Sequence, residues 1–116
     1  MSREQAERFG RLGEIRAGLW LNLHGWWVIA SRVKTPLGEI DLVARRGRTV
    51  AFIEVKARKS AADLDQAIDE YRLRRVAAAV EAVAHRYLRP RDTARIDVLL
   101  LAPRRFPRHI VNAWQP

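Results

Sequence analysis

Two stretches, Gly38-Glu39-Ile40-Asp41-Leu42-Val43 and Phe52-Ile53-Glu54-Val55-Lys56, decide how this chain is read. Both alternate polar and apolar residues, the two-residue period of a strand with one buried face. Alternation sets Glu39, Asp41 and Val43 on one face of the first piece, with Ile40 and Leu42 on the other. Glu54, Lys56 and Arg58 share a face of the second, opposed by Ile53 and Val55. Residues 44–49 between them carry one glycine among charged residues, the composition of a hairpin tip. Opposed residues of a hairpin point to the same side, so the two apolar sets must coincide. A two-residue loop at Gly47-Arg48 meets that condition, with glycine first as a type II′ turn requires. This register predicts Leu42 opposite Ile53, Asp41 opposite Glu54 and Glu39 opposite Lys56. Two carboxylates roughly 5 Å apart at Cβ repel each other. A divalent cation is the evident user of such a pair.

Asp41 with Glu54-Val55-Lys56 downstream resembles the PD-(D/E)XK nuclease signature, here Asp…Glu-X-Lys. The wider resemblance is to the YraN-like family of small bacterial proteins related to archaeal Holliday junction resolvases. It runs from Gly13-Glu14 through both stretches and Ala57-Arg58 to Arg95-Ile96-Asp97-Val98. The resemblance implies an α/β, restriction-endonuclease-like core and a metal-dependent phosphodiesterase centre acting on DNA, possible substrates including branched or recombination intermediates. By position it makes Asp41 and Glu54 ligands of Mg²⁺ or Mn²⁺ and Lys56 the catalytic lysine. Glu14 falls where junction resolvases place a further acidic residue on the first helix, and Gln66 where some related nucleases carry a functional glutamine. Two positions depart from the family pattern: Arg72 stands where a lysine is usual, and Ile96 where an aromatic is usual. Arginine keeps the charge but not the geometry.

The residue types suit this chemistry in their own right. Mg²⁺ prefers carboxylate oxygens and retained water, so one or two carboxylates and a phosphate make a sufficient site. Lys56, two residues from Glu54, points into the same volume, where an ammonium stabilises charge developing on phosphorus. Glu39, opposite Lys56, is the candidate supporting partner. The competing reading is a surface ion-pair ladder, Glu39 to Lys56 and Asp41 to Arg58, which contributes little. The complete spacing favours the metal site.

At 116 residues there is room for one domain, residues 1–116, with a core of its own. Apolar content of 48% is that of a globular chain. The charge is not average: 22 Lys+Arg against 13 Asp+Glu give +9. Nucleic acid is the natural acidic partner, because a carboxylate centre needs a phosphodiester. Arg45, Arg46 and Arg48 at the hairpin tip, Arg58, and Arg72, Arg74 and Arg75 further on are candidate phosphate contacts. Aromatics do not interleave with these basic residues as single-strand platforms require, which favours duplex or branched DNA. No segment reaches the length of a spanning helix, and the polar N-terminus is unlike a signal peptide, so the expectation is a cytoplasmic protein with no membrane partner. The absence of cysteine excludes disulfides, thiol chemistry and Cys-ligated zinc. His24, His85 and His109 lack metal-ligand spacing and read as structural.

The expected element order is αβββαβ(β), a mixed sheet flanked by helices. The first helix spans residues 4–24, with Leu12, Ile15, Leu19 and Leu23 as a core-facing stripe. Gly13, Ala17 and Gly18 thin the adjoining face, beside which Glu14 could reach the metal site, and Gly25 ends the helix. A strand follows over 26–33, in which Trp26 and Trp27 face opposite ways; the exposed one is a candidate contact in a homodimer. A long helix over 63–89, capped by Ser60 or Asp63, buries Leu64, Ile68, Tyr71, Val76, Val80, Val83 and Tyr87. Residues 94–101 form a strand and 109–114 a last short one, with Asp97 in a structural hydrogen-bonding role. Two functions stay open: an endonuclease, or a nucleic-acid-binding accessory module that keeps the fold with little catalysis.

Overall fold

The computed structural model describes residues 2–60 and 69–114. Helix α1 (Arg3–Leu23) leads into strands β1 (Trp27–Thr35), β2 (Gly38–Arg46) and β3 (Thr49–Ala57). Helix α2 (Glu70–Val83) and a 3₁₀ turn (Ala84–Arg86) precede β4 (Thr93–Leu101) and β5 (Arg108–Ile110). The strands lie side by side in chain order, antiparallel except for the parallel pair β3–β4. The α/β class, the mixed sheet and the element order are those read from the sequence.

The hairpin forms in the predicted register. Arg46 pairs with Thr49 across Gly47-Arg48, and Leu42 pairs with Ile53. Gly47 takes φ 61° and Arg48 a negative φ, the combination of a type II′ turn. The strands are not half-buried, however. Val50 and Phe52 pack beneath α2 while Ala51 and Ile53 pack beneath α1, so β3 is central with both faces covered.

Alternation also fails at one point. Ile40 and Val43 lie in the α2-side core with Val33, whereas Leu42 and Ala44 lie in the α1-side core. Ile40 and Leu42 therefore do not share a face, contrary to the strict period. The switch falls at Asp41, and its neighbour across β1, Arg32, sits at φ 51°, a rare conformation for a residue with a side chain. The sheet is creased there, and the β2–β3 ladder stops at Leu42–Ile53.

Helix α1 opens on a capping box, with Ser2 Oγ accepting Gln5 N–H at 3.1 Å and Gln5 Oε1 accepting Ser2 N–H at 2.8 Å. It closes in a Schellman pattern, Trp26 N–H to Leu21 O and Gly25 N–H to Asn22 O. The predicted stripe is on the wrong side. Leu12, Ile15, Leu19 and Leu23 are 44, 61, 59 and 84% exposed, while Gly13, Ala17 and Leu21 are buried. The reason is close approach: a Cβ on Gly13 would meet Ala57 Cβ at 2.9 Å. Only the small-residue face fits that near the sheet, so the bulky face is turned outward.

Helix α2 as described begins at Glu70, capped by Asp69 accepting Tyr71 N–H at 2.8 Å. Leu73, Val76, Ala79, Val80 and Val83 face the sheet. Tyr71, expected in that stripe, is 63% exposed; Asp63, Leu64, Gln66 and Ile68 lie outside the described residues. Trp26 is buried and Trp27 is 74% exposed, as opposite strand faces demand. Asp97 is fully buried and structural, accepting from Arg95, from Asn112 N–H at 2.9 Å and pairing with His109 Nε2 at 2.7 Å. Burial raises its carboxyl, but those bonds outweigh it and hold the group below the usual carboxylate range.

Candidate active site

Beyond the crease β2 and β3 separate, and Val55 N–H donates to Asp41 Oδ2 at 2.7 Å. A side chain thus occupies the place of a ladder acceptor, which fixes the Asp41 carboxylate between the strands. Glu54 and Lys56 point toward α2 from the next residues of β3. Both are almost fully buried, and Lys56 Nζ lies 2.9 Å from Glu54 Oε1. The same oxygen accepts from Arg72 of α2 at 3.1 Å. Glu54 therefore has two cationic partners. Asp41 has no ion-pair partner among the described residues.

Asp41, Glu54, Glu14, Glu39, Tyr71, Arg72 and Arg75 line one cleft of about 540 Å³. Its floor depends on Gly38, where a Cβ would come within 2.9 Å of Arg75 O, so α2 crosses β2 closely and brings Arg72 and Arg75 over the carboxylates. Burial, then the charge of Glu54, pushes the Asp41 carboxyl up to about 7; the Val55 hydrogen bond and Lys56 pull the other way. A divalent cation between the two carboxylates would offset both burial and the Glu54 charge by stabilising the ionised form. No cluster of three or more His, Cys, Asp or Glu able to hold a metal occurs among the described residues. The donor set is two carboxylates, which fits Mg²⁺ or Mn²⁺ with water and phosphate completing the shell, and does not fit zinc.

The other predicted residues distribute unevenly. Glu14 lines the cleft but is bonded to Arg32 Nε at 2.8 Å. Glu39 is exposed and paired across β1 with Lys34, and Lys56 takes Glu54 as partner instead, so the proposed Glu39–Lys56 opposition is not formed. The Asp41–Arg58 ladder is absent too, since Arg58 turns to Ala57 O. Gln66 lies outside the described residues. Arg45 binds Asp92 at 2.7 Å and Tyr87 O at 3.0 Å, and Arg46 lies over the Trp26 ring at 4.4 Å. These two are occupied internally, and with exposed Arg48 they sit roughly 17 Å along β2 from Asp41. Arg74 is exposed beside Glu70 at 3.9 Å. Tyr71 is the cleft residue that periodicity missed, because it was read into the buried stripe.

No described helix is long and apolar enough to cross a membrane. Among solved structures, that of Archaeoglobus fulgidus Hjc, a Holliday junction resolvase from an archaeal hyperthermophile, is similar: TM-score 0.56 and 25% identity over 84% of this chain and 72% of that one. The sheet and helices thus follow a nuclease fold, as the motif implied. UPF0102 proteins of Sphingopyxis alaskensis and Erythrobacter litoralis are each 66% identical across the full length of both chains. Residues 13–101 match the family described as Uncharacterised protein family UPF0102. The segment matched contains the crease, Asp41, Glu54 and Lys56, and the chain belongs to the UPF0102 family.

Proposed function

We propose that the protein is a metal-dependent endonuclease hydrolysing phosphodiester bonds in duplex or branched DNA, such as recombination intermediates, in the cytoplasm. One observation carries this reading: Asp41 is held beside Glu54 in an open cleft, and no cation among the described residues forms an ion pair with it. A fold with no use for the pair would be more stable without one of the carboxylates.

Asp41 and Glu54 are the residues that would hold Mg²⁺ or Mn²⁺, with Glu14 on the cleft wall as a further donor if released from Arg32. The bound ion supplies charge that polarises the scissile phosphate and acidifies an attacking water. Lys56 lies behind Glu54 and not on the cleft wall; its ammonium, released from Glu54 toward the phosphate, would stabilise the charge that builds there in the transition state. Arg72 and Arg75 reach phosphate oxygens from α2, where a guanidinium can donate two parallel bonds. Arg72 must then exchange Glu54 for the phosphate.

A second reading has one observation in its favour. Glu54 is already neutralised by Lys56 and Arg72, as in a closed structural network, which suits an accessory module that binds nucleic acid without cutting it. Incubating pure protein with linear, nicked, flapped and four-way DNA, with Mg²⁺, Mn²⁺ or chelator, separates the two. Metal-dependent cleavage lost in Asp41→Ala, with DNA binding retained, supports the nuclease; binding without cleavage of any substrate supports the module.

Junction cutting needs two incisions, and this chain offers one site. We infer a symmetric homodimer through the outward face of α1. Leu12, Ile15, Leu19 and Leu23 lie within one arc of the helix, and exposed Trp27 follows just beyond its C-terminus. An antiparallel pairing of α1 with its copy sets Leu12 against Leu23 and Ile15 against Leu19, an isologous contact.

A further inference from the structure

The loop over residues 102–107 joins β4 to β5 and carries Arg104, Arg105 and Phe106, followed by Arg108. Phe106 is 94% exposed, the most exposed large apolar residue described. A single exposed apolar side chain is ordinary. Three features set this one apart. Pro103 and Pro107 bracket the loop and restrict it, so the ring is presented to solvent by a stiffened backbone. Exposed arginines flank it on both sides, with Arg104 at φ 62°. Beneath it lies a second cleft of about 260 Å³, bounded by Arg16, Arg58, Arg104 and Arg105. None of these four arginines has a carboxylate partner among the described residues.

The place of the loop relative to the carboxylates is fixed by the parallel strands. Leu101, the last residue of β4, pairs with Ala57, three residues beyond Glu54 and about 10 Å along the strand. The second cleft borders Gly13 and the first borders Glu14, so the two lie on either side of the same turn of α1. Ala57 and Leu101 face α1 whereas Glu54 faces α2, so a nucleic-acid strand with its phosphate at Asp41 and Glu54 would pass round the end of β3 to reach the loop.

We propose that this loop is a second nucleic-acid contact, with Arg104, Arg105 and Arg58 on backbone phosphates and the Phe106 ring stacked on a base. The proposal deepens the nuclease reading and rests on it for its biological sense. In continuous duplex the bases are stacked on one another and offer no face to a ring. At a branch, flap or end, a terminal or splayed base does. The ligand is therefore a DNA strand with an unstacked base, and the loop selects such DNA over plain duplex. Arginine beside the ring adds charge attraction to stacking, the pairing that single-strand-binding surfaces use.

The test is binding in chelator, where cleavage cannot contribute. Fluorescence anisotropy compares four-way, flapped and plain duplex DNA of equal length with wild-type, Phe106→Ala, Phe106→Trp and the double variant Arg104→Ala/Arg105→Ala. Phe106→Ala should lose about tenfold on four-way and flapped DNA and change duplex affinity less than about twofold. Phe106→Trp should restore the loss. Arg104→Ala/Arg105→Ala should weaken all three and lower the salt slope by about two. A 2-aminopurine at the branch point should change fluorescence with wild-type protein and not with Phe106→Ala. Equal affinity of Phe106→Ala and wild-type for every substrate overturns the proposal while leaving metal-dependent cleavage intact. Loss of self-association in Phe106→Ala with binding unchanged also overturns it, assigning the ring to a second copy. Phe106-dependent selection of branched DNA by a protein that never cleaves it supports the loop and removes the nuclease.

Discussion

Asp41 bears two opposed demands, a backbone bond that fixes its carboxylate and a neighbouring Glu54 that repels it. Its carboxyl, raised to about 7, keeps a proton in the folded chain at pH values where the unfolded chain has released it. Folding stability from this group is thus lost as pH rises from about 4 to about 7, and the cost is complete above 7. Asp41→Asn keeps an acceptor for Val55 N–H and removes the charge. The metal-free variant should exceed wild-type in stability at pH 8, on the order of 2 kcal/mol, and match it near pH 4, as read by chemical denaturation. Arg72→Ala makes a complementary case. It frees Glu54 of one cation at 3.1 Å, so Mn²⁺ titrated calorimetrically should bind several-fold more tightly, while DNA affinity falls. Unchanged metal affinity would place the ion away from Glu54. The nearness of Asp41 and Glu54 was legible from the hairpin register, which holds as far as Leu42–Ile53; the predicted Asp41–Glu54 opposition is not formed, because the ladder stops there and Asp41 takes Val55 N–H instead. The crease was not legible. A positive φ at Arg32 is a tertiary outcome, and an arginine carries no mark of it.

Helix α1 shows how two sequence signals of the same period can compete. Its large residues recur at helical spacing, and so do its small ones, and periodicity alone ranks the large face as the buried one. Distance decides otherwise, because the helix crosses β3 where Gly13 faces Ala57. Gly13→Val should destabilise the fold by about 2 kcal/mol or more, since neither backbone nor Ala57 can yield cheaply. Gly10, with nothing within 4 Å, is the control: Gly10→Ala should stabilise by about 0.5–1 kcal/mol through helix propensity alone. Thermal denaturation of the two variants checks both signs; two losses of equal size would mean that close approach is not what orients the helix. In α2 the same logic puts Leu73 and Val76 on the sheet and leaves Tyr71 at the cleft.

For the molecule as a whole, net charge pointed to a polyanion but not to where it lies. Most of the hairpin-tip arginines are spent on Asp92, Tyr87 and Trp26, whereas Arg72 and Arg75 gather at the carboxylates because α2 folds back over β2. That gathering follows from chain crossings, which linear charge counts do not encode. DNA affinity should fall steeply with salt through counterion release, and affinity flat from low to high salt would contradict phosphate-based binding. Leu19→Glu on the outward face of α1 should convert a dimer to a monomer in light scattering without loss of folding; a wild-type monomer, free and DNA-bound, would remove the dimer. The proposed phosphodiesterase centre rests on the Asp41–Glu54 pair and Lys56. Its most direct test is single-turnover cleavage of end-labelled four-way DNA by wild-type, Glu54→Gln and Lys56→Ala, with Mg²⁺ and with chelator. Cleavage should occur only with metal, vanish in Glu54→Gln, and slow at least about 100-fold in Lys56→Ala with metal binding retained. Cleavage that persists in Glu54→Gln, or in chelator, would contradict it.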